Sequence, residues 1–185
     1  MKKPGIVIWL FGLSGAGKST LALQLDDMLT SNGYFVKRLD GDALRSGINS
    51  DLGFSEEDRQ ENIRRAAEIA KLFSESGIVT ICSFISPAKK LRETAREIIG
   101  ENFFCDIFLD CPIETCVSRD PKGLYKKALS GEIKNFTGIG AGFERPDKTF
   151  LTVCTDQQTP QETAMIIINQ IMPMLDAKTM KILKN

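Results

Sequence analysis

The most informative stretch of the chain is Gly12-Leu13-Ser14-Gly15-Ala16-Gly17-Lys18-Ser19-Thr20. It matches the phosphate-binding loop pattern G-x-x-x-x-G-K-[ST] at every specified position. Glycines let such a loop curl until consecutive backbone N–H groups face one anion. The pattern predicts that Lys18 reaches the β- and γ-phosphates of a nucleoside triphosphate and that the Ser19 hydroxyl ligates Mg²⁺.

The flanking sequence predicts that this loop lies between a strand and a helix. Residues 5–11 (GIVIWLF) are apolar, β-branched and aromatic, as in a buried strand. Residues 21–29 repeat apolar side chains at helical spacing. Because a helix N-terminus carries partial positive charge, this order favours phosphate binding over a glycine turn that matches by accident.

The composition excludes several classes of protein. The chain has 185 residues, with 24 Lys plus Arg against 24 Asp plus Glu, so no net charge favours nucleic acid or an anionic membrane as a partner. We expect no signal peptide and no membrane span, since no apolar run is long enough for either. The chain contains no histidine, which excludes Ser-His-Asp hydrolysis and leaves proton transfer to other side chains.

The cysteines indicate a reducing compartment. They are Cys82, Cys105, Cys111, Cys116 and Cys154. Their number is odd and none forms a C-x-x-C pair, which disfavours both a disulfide framework and a zinc site. We therefore expect a cytoplasmic protein.

Strand-like and helical patterns alternate along the chain. The predicted strands lie near 5–11, 34–39, 78–84, 105–109 and 150–154. The predicted helices lie near 18–32, 56–76, 88–99, 112–119, 122–130 and 160–175. This alternation predicts an α/β fold of the P-loop NTPase type, with a mainly parallel five-stranded sheet between two layers of helices. We expect residues 1–185 to form a single domain that binds its ligand at the carboxyl ends of the strands.

A glycine-rich segment, residues 131–147, carries no clear strand or helix pattern. It predicts a loop, which we interpret as part of a lid near 119–147. A lid suits phosphoryl transfer because it excludes water from the reacting groups.

Two acidic residues, Asp40 and Asp42, follow the second predicted strand. At that end of the sheet, one carboxylate is expected to organise Mg²⁺ and the other to accept the proton of an attacking hydroxyl. The pattern does not rank the two acids. An Asp-Gly turn with solvated acids explains the dipeptide alone equally well.

Basic and amide side chains follow these acids. On the predicted helix 56–76, Arg59 and Asn62 share one face, and Arg45 is near in sequence. Such a group suits an anionic nucleotide, because guanidinium forks bind phosphate and sulfate oxygens well. Taken singly, each arginine is more often a solvated surface charge.

Together these motifs resemble the adenylylsulfate kinase family. The matching segments are GLSGAGKST (12–20), LDGDALR (39–45), DLGFSEEDRQENIRR (51–65), SFISP (83–87), RDPKGLYKKALSGEIKNFTGI (119–139) and ERP (144–146). They occur in the family's order between about residue 5 and residue 156. The resemblance implies a sulfate-activating enzyme that transfers the γ-phosphoryl group of ATP to the 3′-hydroxyl of adenosine 5′-phosphosulfate (APS). The products would be 3′-phosphoadenosine 5′-phosphosulfate (PAPS) and ADP.

The resemblance also implies roles for individual residues. The residues that it implies for ATP binding are Gly12, Leu13, Ser14, Gly15, Ala16, Gly17, Lys18, Ser19 and Thr20. Arg119 and Thr155 would lie near the adenine base of ATP. For the acceptor it implies Asp42, Arg45, Phe54, Arg59, Asn62, Ile85, Ser86, Lys122, Asn135 and Phe136. Lys122, Asn135 and Phe136 would close on the acceptor as lid residues, with the Phe136 ring stacking on adenine.

The expected catalytic residues are Lys18, Asp40, Asp42 and Ser86, and the expected Mg²⁺ ligands are Ser19 and Asp40, directly or through water. Ser86 matches a serine to which the family assigns a phosphoserine intermediate, although direct in-line transfer needs no such species. The family further implies a homodimer and a functional link to an ATP sulfurylase.

Some positions depart from the family's pattern. Ser46 stands where many members have histidine, and residues 139–143 and 148–150 differ from the usual sequence. Two alternatives therefore stay open, a kinase for the 3′-hydroxyl of another activated nucleotide and a catalytically silent nucleotide-binding module. Asp110 follows a later predicted strand and resembles a Walker B acid, but a structural turn explains it equally well.

Overall fold

The computed structural model describes residues 5–182 of the chain, and the side chains of residues 5–176. Within these residues the strands are β1 Val7–Phe11, β2 Val36–Asp40, β3 Val79–Phe84, β4 Phe104–Asp110 and β5 Leu151–Cys154. They form one sheet in the order β2-β3-β1-β4-β5, and every neighbouring pair is parallel. The predicted five-stranded parallel sheet is confirmed.

The helices of the described part are α1 Lys18–Ser31, α2 Gly41–Arg45, α3 Glu56–Glu75, α4 Lys89–Ile99, α5 Ile113–Arg119, α6 Leu124–Leu129 and α7 Pro160–Ile182. All six predicted helices are present. The sequence analysis missed the short helix α2 and a 3₁₀ turn at Glu101–Phe103. It also ended the last helix too early, near residue 175, because α7 continues to Ile182.

Strand β1 shows why the sheet needs helices on both faces. Ile8 and Leu10 belong to the core that α1 and α7 cover, whereas Trp9 and Phe11 pack into the core beneath α3 and α4. All four side chains are fully buried. Since successive side chains of a strand point to opposite faces, a strand covered on both sides must be apolar throughout.

Parallel pairing brings the candidate site residues to one edge of the sheet. Asp40, the last residue of β2, lies in register with Ser83 of β3, and Phe11 at the end of β1 lies opposite Phe84. The phosphate loop follows β1 directly. Ligands of such sheets bind at this carboxyl edge.

Helix α3 begins at a side-chain cap. The Oγ of Ser55 accepts a hydrogen bond from the backbone N–H of Asp58 at 3.1 Å, and the first turn is acidic, which suits the positive end of the helix dipole. This cap starts the helix about one turn before Arg59 and about two turns before Asn62.

The predicted loop 131–147 is confirmed, since it contains no helix or strand apart from an isolated bridge between Thr137 and Ala141. None of the helices in residues 5–182 has both the length and the apolar character that crossing a bilayer requires.

Candidate active site

A cavity of about 640 Å³ opens at the carboxyl edge of the sheet. Its lining includes the predicted site residues Ser14, Gly15, Ala16, Gly17, Lys18, Ser19, Thr20, Asp40, Asp42, Arg45, Phe54, Arg59, Asn62, Ile85, Ser86, Arg119, Lys122 and Thr155. The fold therefore gathers segments that are more than a hundred residues apart in the chain around one space.

The phosphate loop has the backbone that its glycines predict. Gly15 has a φ of 78°, and a Cβ on it would lie 2.9 Å from the carbonyl oxygen of Cys116. Gly17 starts α1 at a φ of 97° without a side-chain cap. The first N–H groups of α1 therefore point toward the cavity mouth as donors for phosphate.

Lys18 extends back over the loop. Its Nζ donates hydrogen bonds to the carbonyl oxygens of Gly12 at 2.9 Å and Leu13 at 2.6 Å. Gly12 and Leu13 are not among the residues that line the cavity, and they contribute to the site through these carbonyl groups. Burial lowers the pKa of Lys18 to about 8, although the charges of Asp40 and Asp42 raise it in part. A phosphate group in the loop would offer this ammonium a stronger partner than the two carbonyls.

Asp40 connects the phosphate loop to α2. Its Oδ1 accepts hydrogen bonds from the backbone N–H groups of Asp42 at 2.9 Å and Ala43 at 3.4 Å, so it caps α2. Its Oδ2 accepts a hydrogen bond from the Ser19 hydroxyl at 3.2 Å. The capping rule for Asp predicts such a helix start, but the sequence analysis interpreted Asp40 only as a catalytic residue and a metal ligand.

The pair of Ser19 and Asp40 fits a magnesium ion in chemical type. A hydroxyl and a carboxylate are oxygen ligands, and Mg²⁺ in phosphoryl-transfer sites uses one or two such groups together with substrate phosphates and waters. The described residues contain no cluster of three or more His, Cys, Asp or Glu side chains that could hold a metal. Two oxygen ligands from the protein would leave the other positions around a magnesium ion to phosphates and waters.

Asp42 has a different environment from Asp40. Its carboxylate pairs with the Nζ of Lys122, which comes from the start of the predicted lid, and this contact raises the pKa of Lys122. The side chain of Asp42 is 70% exposed. Both carboxylate oxygens of Asp40 accept hydrogen bonds from protein groups, whereas the Asp42 carboxylate is paired through one oxygen with Lys122.

Two arginines and an exposed ring form the opposite wall. The Arg45 guanidinium lies 4.6 Å from the centre of the Phe54 ring and donates to Gly53 O at 2.6 Å. Arg59 donates through Nε to Phe54 O at 3.0 Å. Burial lowers the pKa of both arginines. Phe54, 70% exposed, thus offers a flat apolar face beside two cations.

The amide of Asn62 is oriented by a residue that the sequence analysis missed. Asn49 is fully buried, and its Nδ2 donates to Asn62 Oδ1 at 2.9 Å. This contact engages the carbonyl oxygen of Asn62, and the NH₂ group of this cavity-lining residue could donate to an anion. No sequence signal indicates Asn49, because it lies in a turn between α2 and α3.

Ser86 is held in an unusual conformation. It has a φ of 44°, a region that non-glycine residues seldom adopt, and it is 2% exposed. Trp9 Nε1 donates to its Oγ at 3.1 Å, and Arg92 Nη1 donates to its carbonyl oxygen at 2.9 Å. The sequence analysis treated Trp9 only as part of a buried strand.

Arg119 and Thr155 contact the phosphate loop from behind. Arg119 donates to Thr155 O at 2.8 Å and to Gly15 O at 3.4 Å. The hydroxyl of Thr155 donates to Ala16 O at 2.9 Å. Gln158, which the sequence analysis missed, also lines this part of the cavity, and its buried Oε1 has no hydrogen-bond partner among the described residues.

Asn135 and Phe136 are not among the residues that line the cavity. The Phe136 ring packs edge-on against Tyr125, with ring centres 5.0 Å apart. Asn135 contributes its backbone oxygen, which accepts from Arg59 Nη2 at 3.4 Å. Phe136 is thus partly buried against the core in this conformation, and its contact with adenine stays a prediction.

Asp110 is bound in a structural pair. Arg145 donates to both of its carboxylate oxygens, at 3.0 Å and 2.5 Å. Asp110 is also not among the residues that line the cavity. The structure therefore favours the structural explanation of this acid over the Walker B interpretation.

The sheet order, phosphate loop and two-sided cavity define a P-loop kinase fold. The adenylylsulphate kinase family model matches residues 4–154, so the chain belongs to that family, as the motifs predicted. It is 52% identical over 171 residues to the adenylyl-sulfate kinase of Clostridium acetobutylicum, covering 92% of this chain and 85% of that one. It is 50% identical to that of Halothermothrix orenii over 167 residues, covering 90% and 89% of the two chains.

Solved structures agree with this assignment. The APS kinase CysC of Mycobacterium tuberculosis, in complex with AMPPNP and APS, superposes with a TM-score of 0.88 at 40% identity, covering 91% of this chain and 98% of that one. Shikimate kinase of Aquifex aeolicus matches with a TM-score of 0.53 at 16% identity, covering 91% and 97%. At that identity the likeness concerns the fold alone.

Proposed function

We infer that this chain is an adenylyl-sulfate kinase that transfers the γ-phosphoryl group of ATP to the 3′-hydroxyl of APS, giving PAPS and ADP. The observation that carries this inference is one cavity with two different walls. One wall is a phosphate loop, and the other presents Arg45, Arg59, Asn62 and Phe54. An M. tuberculosis relative that shares the fold was solved with both AMPPNP and APS.

Phosphoryl transfer at this site would depend mainly on positioning and charge. The N–H groups of the loop would bind the phosphates of ATP. Lys18 would leave the carbonyls of Gly12 and Leu13 and neutralise charge on the transferred group. Arg119 and Thr155, behind the loop, would border the base of ATP.

The 3′-hydroxyl of the acceptor is a weak nucleophile and needs a base in line with the γ-phosphate. We assign this role to Asp42, whose carboxylate is exposed and paired only with Lys122 among the described residues. Ser86 would donate a hydrogen bond to an oxygen of the acceptor nucleotide, because Trp9 already donates to the Ser86 Oγ. The transfer then passes directly from ATP to the acceptor.

Ser19 and Asp40 would hold Mg²⁺, directly or through water, and this pair fits an oxygen-ligated ion. When bound, the ion would neutralise phosphate charge. The protein's own part is to keep the two oxygens together through the bond between the Ser19 hydroxyl and the carboxylate that caps α2.

The acceptor wall suits APS in charge and shape. The phosphosulfate group spreads its charge over several oxygens, which the planar forks of Arg45 and Arg59 match better than lysine would. The Asn62 amide adds a neutral donor, and the exposed Phe54 ring suits a purine. Ile85 lines the same wall, and the lid residues Lys122, Asn135 and Phe136 are proposed to complete it.

Several broader expectations accompany this proposal. We propose that residues 1–185 form one kinase domain, that the protein is a cytoplasmic homodimer, and that it works with an ATP sulfurylase. Helices from both halves of the chain cover the sheet, which supports the first point. One similar structure is a hexameric APS kinase from Thiobacillus denitrificans, of which this chain covers 29%.

An acceptor panel tests the proposal. Purified protein with MgATP would be given APS, adenosine 5′-monophosphate or another adenine nucleotide, and ADP release and acceptor phosphorylation would be followed together. We expect phosphorylation of APS well above that of the others. A stronger reaction with another nucleotide would support the alternative kinase, and ATP binding without turnover would support the silent module.

A further inference from the structure

Arg92 is a buried arginine directly behind the acceptor wall. It lies on α4 and is 5% exposed. Its guanidinium donates to three backbone carbonyl oxygens, those of Ser86 at 2.9 Å, Pro87 at 3.3 Å and Glu144 at 2.9 Å. One side chain therefore joins the loop after β3 to the end of the predicted lid.

Glu144 strengthens the same junction. Its backbone N–H donates to Pro87 O at 2.8 Å. Its carboxylate accepts from the backbone N–H of Lys89 at 2.5 Å, at the start of α4, where Ala88 has no capping side chain. We call the contacts among Arg92, Ser86, Pro87 and Glu144 the Arg92 clamp.

The Arg92 clamp stabilises an unfavourable backbone conformation at Ser86. Ser86 occupies a left-handed φ of 44°, and such conformations persist only where the surroundings enforce them. Trp9 holds its side chain and Arg92 holds its carbonyl. Arg92 itself is not among the residues that line the main cavity and borders a separate cavity of about 470 Å³.

We propose that Arg92 is a positioning residue for the phosphoryl acceptor, which acts through the backbone of Ser86 and ties that backbone to the end of the lid at Glu144. The proposal rests on the proposed function, because it takes Ser86 to lie on the acceptor side. Arg92 also lies 5.1 Å from the ring of Phe11, which precedes the phosphate loop, but its hydrogen bonds go to Ser86, Pro87 and Glu144 and not to that loop. The loss of Arg92 should therefore affect the acceptor more than ATP.

The test compares Arg92→Gln with Arg96→Gln. Arg96 lies one turn further along α4, borders the same second cavity, pairs with Asp106 at 2.8 Å and lies 5.2 Å from the Phe104 ring. Arg96 is partly buried, with 32% of its side chain exposed, and it controls for the loss of an arginine charge from this helix. We expect Arg92→Gln to raise KM for APS by roughly tenfold, the scale of one or two charged hydrogen bonds, while KM for ATP changes less than about twofold. Arg96→Gln should leave the ratio of the two KM values unchanged.

A second readout is independent of turnover. The chain contains one tryptophan, and Trp9 is bonded to Ser86. We expect Arg92→Gln, but not Arg96→Gln, to shift the tryptophan emission of the free protein. If Arg92→Gln does not fold, Arg92→Lys, which keeps the charge and loses the fork, provides the same comparison.

The proposal would be overturned if Arg92→Gln raised KM for ATP and KM for APS equally, or if it left KM for APS unchanged. It would also be overturned if Arg92→Gln and Arg96→Gln had the same effect. Failure of the wild-type protein to phosphorylate APS would instead overturn the proposed function. In that case the emission comparison would still decide whether Arg92 sets the Ser86 conformation.

Discussion

The indole N–H of Trp9 donates to the Oγ of Ser86 at 3.1 Å, which links the strand before the phosphate loop to the loop after β3. The contact is buried, since Trp9 is fully buried and Ser86 is 2% exposed. It engages a lone pair of the Ser86 oxygen and leaves the hydroxyl proton to donate. We therefore expect Ser86 to serve as a hydrogen-bond donor rather than as a nucleophile.

This relationship predicts that Asp42→Asn lowers kcat far more than Ser86→Ala does. An amide cannot accept the 3′-hydroxyl proton, and losing a general base typically costs about 10²-fold or more. Ser86→Ala removes one hydrogen bond, a loss of about 1–3 kcal/mol. Steady-state kinetics of the two variants make the comparison. A dead Ser86→Ala protein beside an active Asp42→Asn protein would reverse the two assignments.

Replacement of Lys18 by alanine should abolish turnover while the protein stays folded. The ammonium is the charge that the loop holds ready for the transferred phosphoryl group, and contacts of this kind are worth about 10²-fold or more in kcat. Kinetics and thermal unfolding of Lys18→Ala, with exposed Lys127→Ala as the control, provide the measurement. A Lys18→Ala variant that kept more than about a tenth of wild-type kcat would refute the assignment.

The pKa of Lys18 predicts how ATP binding depends on pH. Burial lowers this pKa to about 8 in the free protein, and phosphate favours the charged form, so binding near pH 8 takes up a proton. Affinity for ATP should fall as the pH rises through that value. Calorimetry in buffers of different ionisation enthalpy measures the uptake. The variant Lys18→Arg stays charged and should lose this uptake, and equal uptake in both proteins would contradict the account.

Loss of Arg59 or Asn62 should weaken binding of APS far more than binding of ATP. Arg59 contacts Phe54 and the lid at Asn135, and the Asn62 amide faces the same wall. Calorimetric titration of Arg59→Ala and Asn62→Ala with each nucleotide separates the effects. Exposed Arg64, which pairs with Glu61 on another face of α3, offers the control Arg64→Ala. Reduced ATP affinity with intact APS affinity would show that the pocket was assigned wrongly.

Local sequence was sufficient where one short segment determines both structure and chemistry. The phosphate loop lies between a strand that is apolar throughout and a helix with regular apolar spacing, so its position could be predicted without tertiary information. Asp40 shows where such reasoning stops. Its pattern suggested a metal ligand, and the same carboxylate also begins the five-residue helix α2.

Residues that act only through tertiary contacts could not be recognised as functional from the sequence. In the sequence, Trp9 cannot be distinguished from any core aromatic residue, because its contact with Ser86 depends on the loop after β3. Arg92 cannot be distinguished from a surface charge, because its bond to Glu144 joins residues 52 positions apart. Asn49 has meaning only through its bond to Asn62. Phe136 shows a different limit. The motif match identified the residue, but it could not predict the orientation of the ring in this conformation.

The central claim is direct transfer from ATP to the 3′-hydroxyl of APS at this cavity. The sharpest measurement is a rapid-quench single turnover with γ-labelled ATP, followed by separation of the protein from the nucleotides. The account predicts label on the 3′-position of the acceptor at the rate at which ATP disappears, and no protein-bound label with or without APS. Label on Ser86 that forms and decays at the rate of turnover, or label on any other acceptor, would contradict it.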